Sequence, residues 1–315
     1  IFSISTNGPV FAVLHDFSPL DLNSGTNSDG ATPAGGLVLA GDTLYGTASA
    51  GGAGGAGIVF SIRTNGGNFT VLYPFSSLDA ATATNVDGAC PVGGLVLSNG
   101  LLYGTTLAGG PGGSGVIFAV GTNGLGFSVL HSFSAVDLAT GTNEDGASPC
   151  GTLALANGRL YGPASAGGAN GSGAVFSIDT NGAEFQLIYA FSALATAAGT
   201  NRDGAFPVAS VLPVGNSLYG AAFAGGPGGE GTLFSLSLPP ASARITDVRR
   251  NIDGTIRLSF AGGADSTNVV QAATNLTSAS WQNLSTNTAD TNGLWEFVDT
   301  TATQYPGRYY RSLSF

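Results

Sequence analysis

Acidic and amide side chains recur in register along this chain. Asp21, Asn27 and Asp29 return as Asp79, Asn85 and Asp87 and again as Asp137, Asn143 and Asp145. A fourth copy keeps Asn201 and Asp203 but has Ala195 where the leading acid would stand. Carboxylate and amide oxygens gathered in one loop are the ligand set of a calcium ion. The same residue types ahead of glycine also close their own turns through side-chain to backbone hydrogen bonds, and the spacing differs from that of an EF-hand loop. Calcium binding and turn closure are the two expectations for these nine positions, and no other cofactor is implied.

Two further residue types bear on chemistry. His15 and His131 occupy one position of the recurring pattern, and Tyr73 and Tyr189 occupy it in the other copies. A half-buried aromatic site with a polar tip suits both ring types, and no third group at a recognisable spacing completes a Ser/His/Asp set. Cys90 and Cys150 stand one residue before and one residue after the equivalent Pro91 and Pro149. On converging loops in an oxidising compartment they would form a disulfide. The glycine-rich run 51–57 and its copies lead into strands and the chain has no Lys, so these loops read as backbone needing positive φ or close approach, not as phosphate cradles.

The elements that hold these residues follow from a strict period. Leu-Tyr-Gly begins at Leu44, Leu102, Leu160 and Leu218, 58 residues apart, and Phe2, Phe60, Phe118, Phe176 and Phe234 keep the same register. A repeat too small to bury its own apolar face must stack on its neighbours. Within the second repeat four short apolar runs, 58–62, 69–75, 94–97 and 101–106, are joined by turn chemistry that includes Asn65-Gly66 and Asn99-Gly100. Four antiparallel strands per repeat make a propeller blade. The expected fold is all-β: a four-bladed β-propeller of 58-residue repeats over residues 1–238, then a small β-sandwich over residues 239–315.

The run 94–106, Gly-Leu-Val-Leu-Ser-Asn-Gly-Leu-Leu-Tyr-Gly-Thr-Thr, followed by Gly109-Gly110 and Val116-Ile117-Phe118, resembles the tandem GloVer-type repeat of bacterial surface and secreted proteins. The resemblance extends over four copies, departing from the pattern at Pro163, Ala221 and Ala209-Ser210. It implies an extracellular, surface-associated protein and brings no catalytic residues. Beyond Pro239-Pro240 the glycine-rich loops stop, and six alternating runs with Trp281 and Tyr309-Tyr310 resemble a fibronectin type III or immunoglobulin-like module.

Composition narrows the setting. Only 9% of the 315 residues are charged, all nine basic residues are Arg, and the net charge is −10. An acidic surface repels phosphate, which argues against a nucleic-acid partner. No apolar run reaches membrane-spanning length, and a chain beginning at Ile1 without Met reads as a mature secreted form.

A strand inventory points to assembly. The fourth blade ends at residues 232–236 without an outer strand, which residues 11–17 are expected to supply. Ile1, Phe2, Ser3, Ile4 and Ser5 then duplicate a filled position and are free to join another subunit. The expected function is a non-catalytic extracellular structural or adhesive subunit that self-associates into a filament or surface array by end-strand exchange. The alternative is a glycan-binding propeller, and after it a propeller hydrolase or lyase.

Overall fold

The structure is a computed structural model, and it describes residues 1–5, 10–195, 197–238, 243–263, 266–275, 280–290 and 293–314. The expected boundary at Pro239-Pro240 lies outside them. The chain divides into two compact units, one of residues 1–212 with 219–235, the other of residues 213–218 with 236–315. Among the described residues there is no α-helix, and every sheet is antiparallel.

The repeats fold as sequence-local sheets. A two-stranded hairpin comes first, β1 (Phe2–Ile4) with β2 (Phe11–Val13). The next sheet runs β3 (Val38–Ala40), β4 (Thr43–Ala48), β5 (Ile58–Arg63), β6 (Thr70–Pro74). Its successor repeats the order with β7 (Val96–Ser98), β8 (Leu101–Thr106), β9 (Val116–Gly121) and β10 (Ser128–Ser132). The third full sheet adds a short β11 (Ala147–Pro149) to β12 (Ala154–Ala156), β13 (Arg159–Ala166), β14 (Ala174–Asp179) and β15 (Gln186–Ala190). The last has three strands, β16 (Leu212–Val214), β17 (Ser217–Ala222) and β18 (Thr232–Ser237).

Stacking of these sheets explains their residue pattern. β5 and β9 are buried nearly throughout because a neighbouring sheet covers each face, so they need apolar side chains without the usual alternation. One shared cluster joins Tyr45 and Val59 of one sheet to Leu102, Phe118 and Val120 of the next. Another joins Tyr103 and Ile117 to Leu160, Phe176 and Ile178. Successive repeats also converge at glycine: a Cβ on Gly93 would meet the Gly151 carbonyl at 2.8 Å, and one on Gly35 would meet that of Gly93 at 2.6 Å.

The ends differ from the expectation. Residues 11–17 do not complete the last sheet: β2 pairs with β1, and among the described residues β18 has only β17 beside it. The strand at Ile1, Phe2, Ser3, Ile4 and Ser5 is therefore not loose, because Phe2 faces Val13 and Ile4 faces Phe11 across its own hairpin. Closing a short local loop costs far less chain entropy than joining residues more than two hundred positions apart. With one face uncovered, β18 alternates between exposed and half-buried residues, whereas β5 and β9 do not.

The second unit contains two three-stranded sheets. One is β19 (Arg244–Arg250), β20 (Ile256–Ala261) and β23 (Leu294–Asp299); the other is β22 (Gln282–Thr288), β21 (Thr267–Ala273) and β24 (Tyr309–Ser314). Leu258, Phe260, Val270, Ala289 and Trp295 form their common core. The core indole is Trp295, stacked on Phe260 at 4.9 Å. Trp281 is only half-buried and lies under the Arg311 guanidinium at 4.3 Å.

Candidate functional site

The polar side chains singled out in the sequence gather into one unit per repeat, where the outer strand turns toward the glycine-rich loop. In the first, the Ser18 N–H and hydroxyl donate to the Asp29 carboxylate, and His15 Nε2 lies 3.0 Å from the same carboxylate. In the second, the Tyr73 hydroxyl donates to Asp87 at 2.9 Å and the Ser76 N–H does so at 2.9 Å. His131, Asp145 and Ser134 repeat the first version, and Tyr189, Asp203 and Ser192 the second. The Ser participant was missed in the sequence, although Phe-Ser after the outer strand recurs in all four copies.

Asn27 ties this unit to a loop far along the chain. Its Nδ2 donates to the carbonyls of Ser18 and Gly30, both at 2.8 Å, and its Oδ1 accepts from the N–H of Gly30 at 2.9 Å and of Gly52 at 2.8 Å. Asn85 makes the same four bonds, and Asn143 and Asn201 repeat the set. A side-chain amide has two donors and two lone pairs. All four are used by the protein, so Asn27, Asn85 and Asn143 have no lone pair left for a cation. Gly52 sits at φ +74°, and its N–H reaches Asn27 only with the backbone in that left-handed turn.

The leading acids belong to a separate turn. Asp21 Oδ1 accepts from the N–H groups of Asn23 and Ser24 at 2.9 and 2.8 Å, and Asp79 and Asp137 do the same in their loops. Ala195 keeps the backbone bonds of the loop, donating to the Thr200 carbonyl at 2.8 Å and accepting from the Gly199 N–H at 2.8 Å. The loop thus closes in the copy that has no acid to offer a metal. Among the described residues no group of three His, Cys, Asp or Glu side chains is placed to hold an ion.

Electrostatics fit a structural role for these units. Burial pushes the Asp29 carboxyl up, but the Ser18 hydroxyl and N–H and the His15 ring outweigh it and hold it below the usual carboxylate value. Asp145 and Asp203 are lowered in the same way. Burial, and then the bond to the Asp87 carboxylate, push the Tyr73 phenol above its usual value. The Ser18 hydroxyl donates to the carboxylate, not to His15, so the carboxylate stands between the other two groups. A serine nucleophile needs the imidazole next to its own hydroxyl.

The aromatic members also stack from repeat to repeat. His15 lies on Phe69, Tyr73 on Phe127 and His131 on Phe185, each pair with ring centroids 3.7 Å apart and planes within 5° of parallel.

The cysteines are corrected by the structure: Cys90 and Cys150 are free thiols. Cys90 packs with the cluster that contains Ala56 and Phe75, and its N–H donates to the Ala56 carbonyl in the preceding repeat. Cys150 Sγ points the other way, to the Val208 carbonyl of the following repeat at 3.6 Å. Burial raises both thiols above their usual value.

Residues 1–142 match the Gloeobacter/Verrucomicrobia repeat. No curated protein matches the chain in sequence. Among solved structures the chain is similar to an ulvan lyase of polysaccharide lyase family PL25, at 11% identity and a TM-score of 0.43, covering 78% of this chain and 68% of that one. It is also similar to a GH43B protein of a Bacteroides ovatus xyloglucan locus, at 9% identity and a TM-score of 0.36, covering 92% and 76%. A putative 6-phosphogluconolactonase from Bacteroides fragilis is similar at 14% identity and a TM-score of 0.38, covering 94% and 82%. Likenesses this weak carry no argument about activity.

Proposed function

We propose that this protein is a non-catalytic extracellular structural or adhesive subunit that self-associates into a filament or surface array. In this reading the repeats are propeller-type blades and the C-terminal sandwich is a fibronectin type III or immunoglobulin-like module. The observation that carries it is the use of the recurrent polar residues: His15, Ser18, Asn27 and Asp29, and their copies, bond to one another and to the backbone. Groups spent in this way lock loops in place and are not presented to a substrate. A surface with few charges and no Lys supports an extracellular setting. Assembly is assigned to the end sheets and not to exchange of residues 1–5, since that strand is already paired in its hairpin.

A glycan-binding module would use exposed rings such as Tyr219 and Phe223. The counterparts of Tyr219, which are Tyr45, Tyr103 and Tyr161, are all buried between sheets. Exposure at Tyr219 therefore marks an open end more naturally than a sugar platform. Negative-stain imaging and sedimentation of the purified chain across a concentration series test the proposal. Assemblies that grow with concentration support it, and a strictly monomeric chain that depolymerises a polysaccharide overturns it.

A further inference from the structure

The register of the repeats leaves two complementary apolar faces uncovered, one at each end of the stack. Each internal junction is made in the same way: Tyr45 and Val59 of one sheet meet Phe118 and Val120 of the next, and Tyr103 and Ile117 meet Phe176 and Ile178. At the last sheet the residues equivalent to Tyr45 and Val59 are Tyr219 and Leu233. They are 48% and 90% exposed. At the first hairpin the residues equivalent to Phe118 and Val120 are Phe2 and Ile4, 63% and 64% exposed. One end thus carries one half of the junction, and the other end carries the other half.

We infer that the uncovered end faces bind each other between copies of this chain, head to tail, by repeating the internal junction. Phe2 and Ile4 of one copy pack on Tyr219 and Leu233 of the next. This rests on the reading of the protein as a self-assembling subunit and names its partner as a second copy. A second copy is the occupant because the interface it would make already occurs twice within the chain, whereas a different partner would have to imitate it. The contact is heterologous, so each added copy renews the same end and growth continues unless the rotation closes a ring.

Two single substitutions at exposed positions decide it. Phe2→Asp blocks the first face and Leu233→Asp the last, and sedimentation velocity reads the result on the full chain. The wild type is expected to form a concentration-dependent series of assemblies, each variant alone is expected to be monomeric, and an equimolar mixture is expected to stop at a dimer. Far-UV circular dichroism melts confirm that the variants are folded; a variant that melts early is replaced by Phe2→Ser or Leu233→Ser. If either variant alone still forms dimers or longer species, the contact is not head to tail through these faces, although self-assembly survives. A wild type that stays monomeric at every concentration removes both the contact and the reading beneath it.

Discussion

The repeats and the C-terminal unit hold a buried or half-buried carboxylate in different ways. In the repeats Asp29, Asp87, Asp145 and Asp203 are held by Ser N–H and hydroxyl groups and by a His or Tyr, and only the fourth unit adds an Arg, Arg202 beside Asp203. In the second unit Asp299 receives the Arg308 guanidinium at 2.6 Å, together with the Tyr310 hydroxyl at 2.8 Å and the Thr301 hydroxyl at 2.7 Å. Dipolar donors leave the negative charge on the molecule, and a guanidinium cancels it. The thirteen acids and three Arg up to Gly231, against six of each beyond it, follow the same division. A repeat that uses hydroxyls and amides can be copied without needing a cation in every copy.

The largest expected effect breaks the charged version. Arg308→Ala leaves Asp299 buried without its counter-charge and is expected to cost about 3–5 kcal/mol. Both Trp residues lie in residues 236–315, so urea unfolding followed by Trp fluorescence reads this unit directly. An unchanged midpoint would mean that the neutral donors suffice there too.

Next comes the amide bridge of the repeats. Asn85→Ala strands the Ser76 and Gly88 carbonyls and the Gly88 and Gly110 N–H groups, a loss on the order of 2–3 kcal/mol. Asn85→Asp keeps the two acceptor bonds and loses both donors, and thermal melts should place it between Ala and wild type. Equal melting of Asp and wild type would show that the donors do nothing.

A smaller effect is expected at the aromatic tip. Tyr73→Phe keeps the stack on Phe127 and removes one donor from Asp87, for about 1 kcal/mol. The same thermal melts measure it, and a loss as large as that of Asn85→Ala would place the hydroxyl, not the amide, at the centre of the unit.

Acid sharpens the comparison further. Asp29, Asp145, Asp203 and Asp299 have folded-state values held below the usual carboxylate range by their donors, despite burial. Their contribution is present in full above the ordinary value near pH ~4 and is lost as pH falls through the lower folded values. Urea midpoints should therefore hold steady on acidification to about pH 5 and drop below about pH 4. A midpoint that rises on acidification would contradict the sign. The smallest effect is that of a chelator: thermal melts with and without EDTA should coincide. A fall with EDTA would return the calcium expectation to Asp21, Asp79 and Asp137.

Much of the repeat architecture was legible in the residues. The runs at 58–62 and 101–106 are the cores of β5 and β8, since Asn-Gly turns and β-branched residues act locally. The turn reading of the acidic loops was legible for the same reason, as Asp21 bonds to residues two and three positions on. The bridge from Asn27 to Gly52 was not, because nothing near either residue signals a partner 25 positions away. Trp295, within β23, was passed over for Trp281, which stands just before β22, and only the facing of the two sheets decides which indole meets Phe260.

By itself the sequence determined the period, the strand content and the turn chemistry, all of which depend on contacts within a few residues. Tertiary structure alone decided which copies are covered. Phe2 and Phe60 have the same local sequence, Phe-Ser-Ile, yet one is exposed and the other buried. β18 carries an apolar pattern like that of β5 without a neighbour on its second face. Burial of a stacked sheet depends on the sheet beside it, and no residue encodes the presence of a neighbour.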